Sequence, residues 1–267
     1  MRTQRPGRHE LGQNFLIDRK TIATVVGLVA DTTGPVVEIG AGDGALTLPL
    51  HRLGRRLTAI ELDDRRAARL AGRVPAPTEI VTADFLRFSL PTTPHVLVGN
   101  LPFHLTTAML RHVLHAPGWT EAVLLVQWEV ARRRAGVGGA TMMTAQWWPW
   151  FEFRLVARVP ATAFRPMPGV DGGVLTMTRR TRPLVGHADR ERYQAFVRRA
   201  FTGRGRGIDE ILAASRETRR WLREEGVPPT ALPKSLTAPQ WAEVFRLQRG
   251  SPVRARGASP NRTAPRR

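Results

Sequence analysis

Val36-Val37-Glu38-Ile39-Gly40-Ala41-Gly42-Asp43-Gly44 is the stretch on which the fold turns. A short strand-forming run is followed at once by glycine at every second position. Glycine lets a backbone reverse tightly and approach a ligand closely, so this reads as a buried strand leading into a nucleotide-binding loop. The spacing is G-x-G-x-G, and the dinucleotide pattern G-x-G-x-x-G is not matched. A second strand-like run, Leu57-Thr58-Ala59-Ile60, ends at Glu61, which lies 19 residues after Gly42. A carboxylate there can take both hydroxyls of a ribose. A third run, Glu79-Ile80-Val81, precedes Ala83-Asp84-Phe85. Asp84 can accept from the exocyclic amine of an adenine ring, while Leu62 and Phe85 supply flat apolar contacts. The bland reading of Glu61 and Asp84 is solvated surface; their shared register, just past successive strands, points instead to a ligand.

Outward from this stretch, strand-like and helix-like segments alternate. Asp18 can cap a helix whose Ile22, Val25, Val26 and Val29 fall on one face. Ala45 to Leu53 and Asp64 to Ala71 read as helices, with Pro49 awkward inside the first because it removes a backbone donor. His95 to Val98, a helix from Thr106 to His115, and Ala122 to Gln127 continue the alternation. Such a pattern predicts a parallel sheet with helices on both faces and a ligand at the carboxyl ends of its strands. Phe151 to Val159 then alternates at period two, and Gly173 to Met177 follows a Pro-rich turn, which predicts an antiparallel hairpin closing one edge. The aromatic cluster Trp147, Trp148, Trp150, Phe151 and Phe153 reads as core, with base stacking as the alternative. Arg190 to Phe201, Ile208 to Ser215, Thr218 to Glu225 and Ala238 to Gln248 are helical throughout. The expected fold is α/β, a Rossmann-like, seven-stranded, mostly parallel sheet with an antiparallel edge hairpin, plus a small all-helical C-terminal domain. The expected division is 1–183, the sheet with its ligand loop; 184–249, all helical; and 250–267, a disordered basic tail with five Arg and no acidic residue.

Composition narrows the function. The 267 residues, 42% hydrophobic, suffice for one large domain and a small appendage. Neither a long apolar span nor the apolar core of a signal peptide is present, so a cytoplasmic protein without membrane contact is expected. The chain has no cysteine, and its seven His form no short-spaced cluster with acids, so no metal is expected. The net charge of +19 suits a polyanionic partner. That charge is segregated. Val36 to Leu124 holds nine Arg against eight acidic residues, whereas Arg179 to Arg223 holds thirteen Arg against five. A nearly neutral catalytic body joined to a basic module divides chemistry from phosphate binding; a solvated arginine-rich helix surface is the bland alternative. Only two lysines accompany 39 arginines, a skew that a GC-rich genome also produces.

Asn100-Leu101-Pro102-Phe103 follows the fourth strand-like run. Alone, a strand end followed by Asn-X-Pro is an ordinary turn. Beside an adenosine-type pocket it acquires a chemical meaning. The amine of a purine is a poor nucleophile because its lone pair is delocalised into the ring. An Asn amide oxygen and a neighbouring backbone carbonyl can both accept from that amine and localise the pair, while Pro102 turns the Leu101 carbonyl inward and Phe103 stacks on the base. S-adenosylmethionine is therefore the expected cofactor. A nicotinamide enzyme is the competitor, but no His or Tyr/Lys pair is placed for hydride transfer; the one tyrosine, Tyr193, lies in the helical segment.

Taken in order, Gly12-Gln13-Asn14-Phe15-Leu16, Glu38 to Gly44, Ala83-Asp84-Phe85, Asn100 to Thr107, and Phe164-Arg165-Pro166-Met167-Pro168-Gly169-Val170-Asp171 resemble the motifs of the Erm-type ribosomal RNA adenine N6-methyltransferases, within the wider group that includes KsgA-like dimethyladenosine transferases. The resemblance covers residues 8–248. It implies cofactor contacts at Asn14, Leu16, Gly40, Glu61, Asp84 and Asn100, with Gly42 in the same loop. It implies that Asn100 and the Leu101 carbonyl hold the target amine, beside Pro102, and that Phe103 and Phe164 hold the ring of an adenine drawn from its stack. Arg198 to Gly207 resembles a basic helix-turn of this family, which places Arg198, Arg199, Arg204 and Arg206 near RNA. The implied partner is 23S ribosomal RNA and the implied state a monomer. Gly172-Gly173, the Trp cluster and the Arg-rich tail depart from the family pattern. Two other readings remain at this point, dimethylation of small-subunit RNA and a non-catalytic RNA-binding assembly factor; His104-Leu105-Thr106-Thr107 after Phe103 favours the Erm type.

Overall fold

The alternation seen in the sequence resolves into one sheet because its apolar runs are buried on both faces. The structure, a computed structural model, describes residues 14–249. Gly12 and Gln13 of the N-terminal motif, and the tail from residue 250, lie outside the described residues. In chain order, β1 (Phe15–Leu16), α1 (Arg19–Ala30), β2 (Val36–Ile39), α2 (Thr47–His51), β3 (Leu57–Glu61), α3 (Asp64–Ala71) and β4 (Thr78–Thr82) come first. β5 (His95–Asn100), α4 (Thr106–His115), β6 (Trp119–Gln127), α5 (Trp128–Arg134) and α6 (Met142–Trp147) follow. The chain continues through β7 (Phe151–Val159), β8 (Phe164–Arg165), β9 (Gly172–Arg179), α7 (Arg190–Thr202), α8 (Ile208–Ile211), α9 (Arg216–Glu224) and α10 (Ala238–Arg249).

Seven strands form the main sheet in the order β4-β3-β2-β5-β6-β9-β7. β2 to β6 are parallel, and β9 runs antiparallel between β6 and β7, so the edge hairpin is where the sequence puts it. The chain steps outward from β2 to β4 and then returns to lay β5 on the other side of β2. That reversal opens a crevice above the carboxyl ends of β2 and β5, the place where an open parallel sheet takes its ligand. The strands are read alternately by the two helical layers. Val36, Val96, Val98, Val123 and Leu125 pack with Val25 and Val29 of α1 and Leu50 of α2. Val37, Ile39, Leu97 and Leu124 pack with Leu110 and Val113 of α4. No helix among the described residues is long and apolar enough to cross a membrane.

Helix ends follow side-chain chemistry. Asp18 caps α1 as expected, accepting from the Thr21 N–H at 2.8 Å. The helix expected over Ala45 to Leu53 shrinks to Thr47–His51, because Pro49 cannot donate and Gly44 still holds a left-handed turn at φ 89°. The expected helix Ile208 to Ser215 is likewise confined to Ile208–Ile211. Ala213 there adopts φ 47°, and Ser215 caps the next helix by accepting from Thr218 N–H at 3.1 Å. A hydroxyl between two apolar runs has started a helix rather than continued one.

The Trp cluster is core. Trp147, Trp150, Phe151 and Phe153 are buried, and Trp119 stacks on Phe151 at 4.7 Å between centroids. Trp150 meets the Tyr193 ring edge-on at 5.6 Å, and Tyr193 meets Phe245 at 5.3 Å. One apolar cluster therefore runs from the sheet into α7 and α10. Truncating Trp150, which is 1% exposed, is expected to destabilise the protein by about 3–5 kcal/mol. Denaturant unfolding followed by fluorescence and by far-UV dichroism should show the sheet and the helical segment lost in one coincident transition, in the wild type and in Trp150→Ala alike.

Candidate active site

The glycine loop is built by conformation. Gly40, Gly42 and Gly44 have φ of 73°, 56° and 89°, a region that only glycine occupies without strain. This lets the N–H groups of Gly40 and Ala41 both reach the Ile60 carbonyl, at 2.9 and 3.0 Å, and brings the loop onto the end of β3. Gly42 N–H then donates to Glu61 Oε2 at 2.6 Å, and Asp63 N–H to Oε1 at 2.9 Å. Glu61 is 2% exposed. Each of its oxygens keeps a lone pair after these bonds, so a fixed carboxylate remains able to accept two hydroxyls. Asp84 accepts from Leu86 N–H at 2.9 Å and stays partly exposed. Phe85 beside it is held edge-on against His112 at 5.1 Å.

A cavity of about 580 Å³ brings together Asn14, Leu16, Gly40, Gly42, Glu61, Asp84 and Asn100, every residue expected at the cofactor. Leu62, Phe85 and Pro102 line it as well. Asn100 is the residue that gives the cavity a direction. Its Nδ2 donates to the Asn14 carbonyl at 2.7 Å. A carbonyl can only accept, so the amide nitrogen must face Asn14 and Oδ1 must face away. That oxygen is buried and has no partner in the protein. Leu101, buried, is anchored through its N–H to the Leu125 carbonyl at 2.9 Å. The Pro102 carbonyl accepts from Leu105 N–H at 3.0 Å and Thr106 Oγ1 at 3.1 Å, tying the loop to the start of α4.

Phe103 and Phe164 do meet, with centroids 5.8 Å apart and planes at 71°. Phe103 is half-buried, whereas Phe164 is 1% exposed, a retracted ring rather than a free platform. Gly172 explains its depth. A Cβ built there would sit 3.1 Å from Phe164 Cζ and 3.4 Å from Leu125 Cδ1, so the missing side chain is the seat of the ring.

Three contributors escaped the sequence reading. Glu38, inside β2, is 1% exposed with Oε2 unpartnered, and it lines the cavity. Burial pushes its carboxyl up to about 8; Thr47 pulls the other way and the Glu61 charge adds to the rise. An acid in the middle of an apolar run was the available signal. Arg66 stacks 4.3 Å over the Phe15 ring and pairs with Asp43 at 2.7 Å, strapping β1 to the glycine loop. Gly172, above, is the third. Of the four expected RNA cations, Arg198, Arg199, Arg204 and Arg206 are all exposed, at the end of α7 and in the turn after it, and none lines the cavity. Arg206 is ion-paired to Glu210 at 2.8 Å, and Arg199 lies 5.9 Å over the Phe196 ring. Arg198 and Arg204 have no carboxylate partner among the described residues. No group of three or more metal-binding side chains occurs among the described residues.

The family model for ribosomal RNA adenine dimethylases matches residues 5–249. The chain belongs to this family. An rRNA adenine N-6-methyltransferase of Corynebacterium diphtheriae is 54% identical, covering 85% of this chain and 93% of its own length. The mycinamicin-resistance protein MyrB of Micromonospora griseorubida is 48% identical, covering 97% of this chain and 88% of its own. Among solved structures, the 23S rRNA methyltransferase ErmE superposes with a TM-score of 0.80 at 34% identity, covering 88% of this chain and all of that one. As a member of this family, the chain is an S-adenosylmethionine-dependent rRNA adenine N6-methyltransferase. The cavity fits that cofactor. Among its polar lining residues Glu61, Asp84 and Asn100 offer acceptors, and the cofactor presents ribose hydroxyls and amino groups as donors.

Two tests follow from this geometry. The folded Glu38 carboxyl, at about 8, lies above its ordinary value of 4.5, so the folded state holds the proton more tightly. Its contribution is present below the unfolded value and is lost as pH rises through the folded one. Thermal unfolding of the cofactor-free protein should therefore show Glu38→Gln gaining on the wild type between pH 5 and 9, reaching a few kcal/mol. Gly172→Ala should force Phe164 outward by a few tenths of an ångström. Its RNA KM is expected to rise several-fold in steady-state assays, with cofactor affinity by calorimetry within two-fold of wild type.

Proposed function

We propose that this enzyme methylates N6 of one adenine in the macrolide-binding region of bacterial 23S ribosomal RNA, and so confers resistance to macrolide-type antibiotics. The observation that carries the reading is the Asn100 amide: Asn100 lines the cavity, its Nδ2 is committed to the Asn14 carbonyl, and its buried Oδ1 has no partner of its own. Leaving such an acceptor unpaired costs about 1–3 kcal/mol, which a bound amine recovers. Asn100 Oδ1 and the Leu101 carbonyl accept the two N–H groups of the adenine amine and localise its lone pair. Pro102 fixes the backbone that aims that carbonyl. Phe103 lies on the base, with the buried Phe164 ring packed edge-on behind it. S-adenosylmethionine supplies an electrophilic methyl on a sulfonium. The protein's part is orientation and charge complementarity for in-line transfer, without a covalent intermediate. The methylated amine becomes acidic and releases its proton to water, so no side-chain base is required.

The 23S assignment is supported by His104-Leu105-Thr106-Thr107 after Phe103 and by the similarity, at 34% identity, to the 23S rRNA methyltransferase ErmE. In this reading the enzyme works in the cytoplasm as a monomer without a metal. Residues 184–249 form the RNA-binding unit, with Arg198, Arg199, Arg204 and Arg206 toward the phosphate backbone.

Incubation with methyl-labelled cofactor and either protein-free 23S RNA or assembled small subunits, followed by mapping of the labelled base, tests the substrate. Label on one 23S adenine is expected; label confined to small subunits would assign the chain to small-subunit dimethylation. Asn100→Ala should reduce turnover by roughly 10²-fold or more while the protein remains folded by far-UV dichroism. Retained turnover would remove Asn100 from its role.

A further inference from the structure

Met167 is 66% exposed, the most exposed of the large apolar side chains among the described residues. It stands at the tip of the segment 164–171, between Pro166 and Pro168, with Val170 also 50% exposed. The two prolines fix φ on either side and remove two backbone donors, so the tip is stiff and presents side chains rather than backbone. Both ends of the segment are tied down. Phe164 pairs with Leu16 in the β1–β8 ribbon. Asp171 accepts from Arg158 Nε at 2.7 Å and from Ala161 N–H at 2.9 Å, and its carbonyl accepts from Trp128 N–H at 2.8 Å. The Ala161 N–H and the Arg158 guanidinium hold the Asp171 carboxyl below its usual range. Arg165, next to the base wall, is exposed and has no carboxylate partner among the described residues.

The loop, anchored at both ends, thus holds Met167 and Val170 out in water, three and six residues from Phe164. An adenine reaches the pocket only by leaving its stack, and the gap it leaves is costly until something apolar fills it. Met167 lies three residues from Phe164, within about 10 Å of the pocket wall. We propose that Met167 is a wedge: it enters the RNA stack at the position vacated by the target adenine, while Arg165 holds the adjoining phosphate. Unbranched and polarisable, a methionine adapts to the irregular faces of neighbouring bases. Met167 is thus a positioning residue, acting through the flipped adenine and not on the methyl transfer itself.

The inference rests on the RNA adenine reading above, and its test separates the two. Two RNAs are used, one with the target adenine stacked within a helix and one with the same adenine already unstacked in a flexible single strand. Each carries 2-aminopurine next to the target, so that unstacking is read as fluorescence on binding, without turnover. For Met167→Ala the expected result is a loss of at least ten-fold in kcat/KM on the stacked RNA and less than two-fold on the unstacked one. The fluorescence rise should fall with it, and Met167→Leu should restore both. Equal losses on both RNAs, or no loss on either together with an unchanged fluorescence rise, would overturn the wedge. Failure of the wild-type chain to label either RNA counts against the proposed function, while the fluorescence signal still reads the wedge.

Discussion

One hydrogen bond, from Asn100 Nδ2 to the carbonyl of Asn14, fixes the chemistry of this molecule. It decides which end of the Asn100 amide faces the cavity, and a reversed amide would offer a donor to an amine that is itself a donor. The same N-terminal segment makes the next two connections. Phe15 lies against Gly42 and under Arg66, and Leu16 pairs with Phe164. Three consecutive residues thus touch the amine-holding loop, the cofactor loop and the wall of the base pocket. The positions of cofactor and adenine are set relative to each other through a segment of backbone, not through long flexible side chains.

The second constraint is that the cavity is rich in acceptors. Glu38, Glu61, Asp84 and Asn100 all line it. Such a site can be folded only if its charges are managed. Glu61 is stabilised by two backbone N–H donors, whereas Glu38, with an oxygen left unpartnered and its carboxyl pushed up to about 8, is held largely protonated at neutral pH. Two adjacent carboxyls in unlike environments avoid both being charged, which burial alone would make costly.

Much of this was legible in the sequence because it depends on local pattern. Strand ends carry Glu61, Asp84 and Asn100 at a common level, since parallel strands in register must end together. What escaped depends on neighbours distant in the chain. Nothing near Gly172 announces that a ring from residue 164 will occupy its side-chain space, nor does Arg66 announce Phe15. The helices expected over Ala45 to Leu53 and Ile208 to Ser215 came out short because apolar periodicity outweighed Pro49 and the capping tendency of Ser215 in the reading, though not in the chain. Phe164, which the resemblance implies holds the ring of the adenine, lies buried, its ring drawn back by a glycine whose backbone needs no special conformation.

The chemistry of the site turns on where the target amine goes. A crystal structure of the enzyme with S-adenosylhomocysteine and a stem-loop RNA carrying the target adenine would locate it. The amine nitrogen is predicted about 2.6–3.2 Å from both Asn100 Oδ1 and the Leu101 carbonyl, with Nδ2 still on the Asn14 carbonyl. An amine bound elsewhere, or an Asn100 amide turned with its nitrogen toward the base, would contradict it.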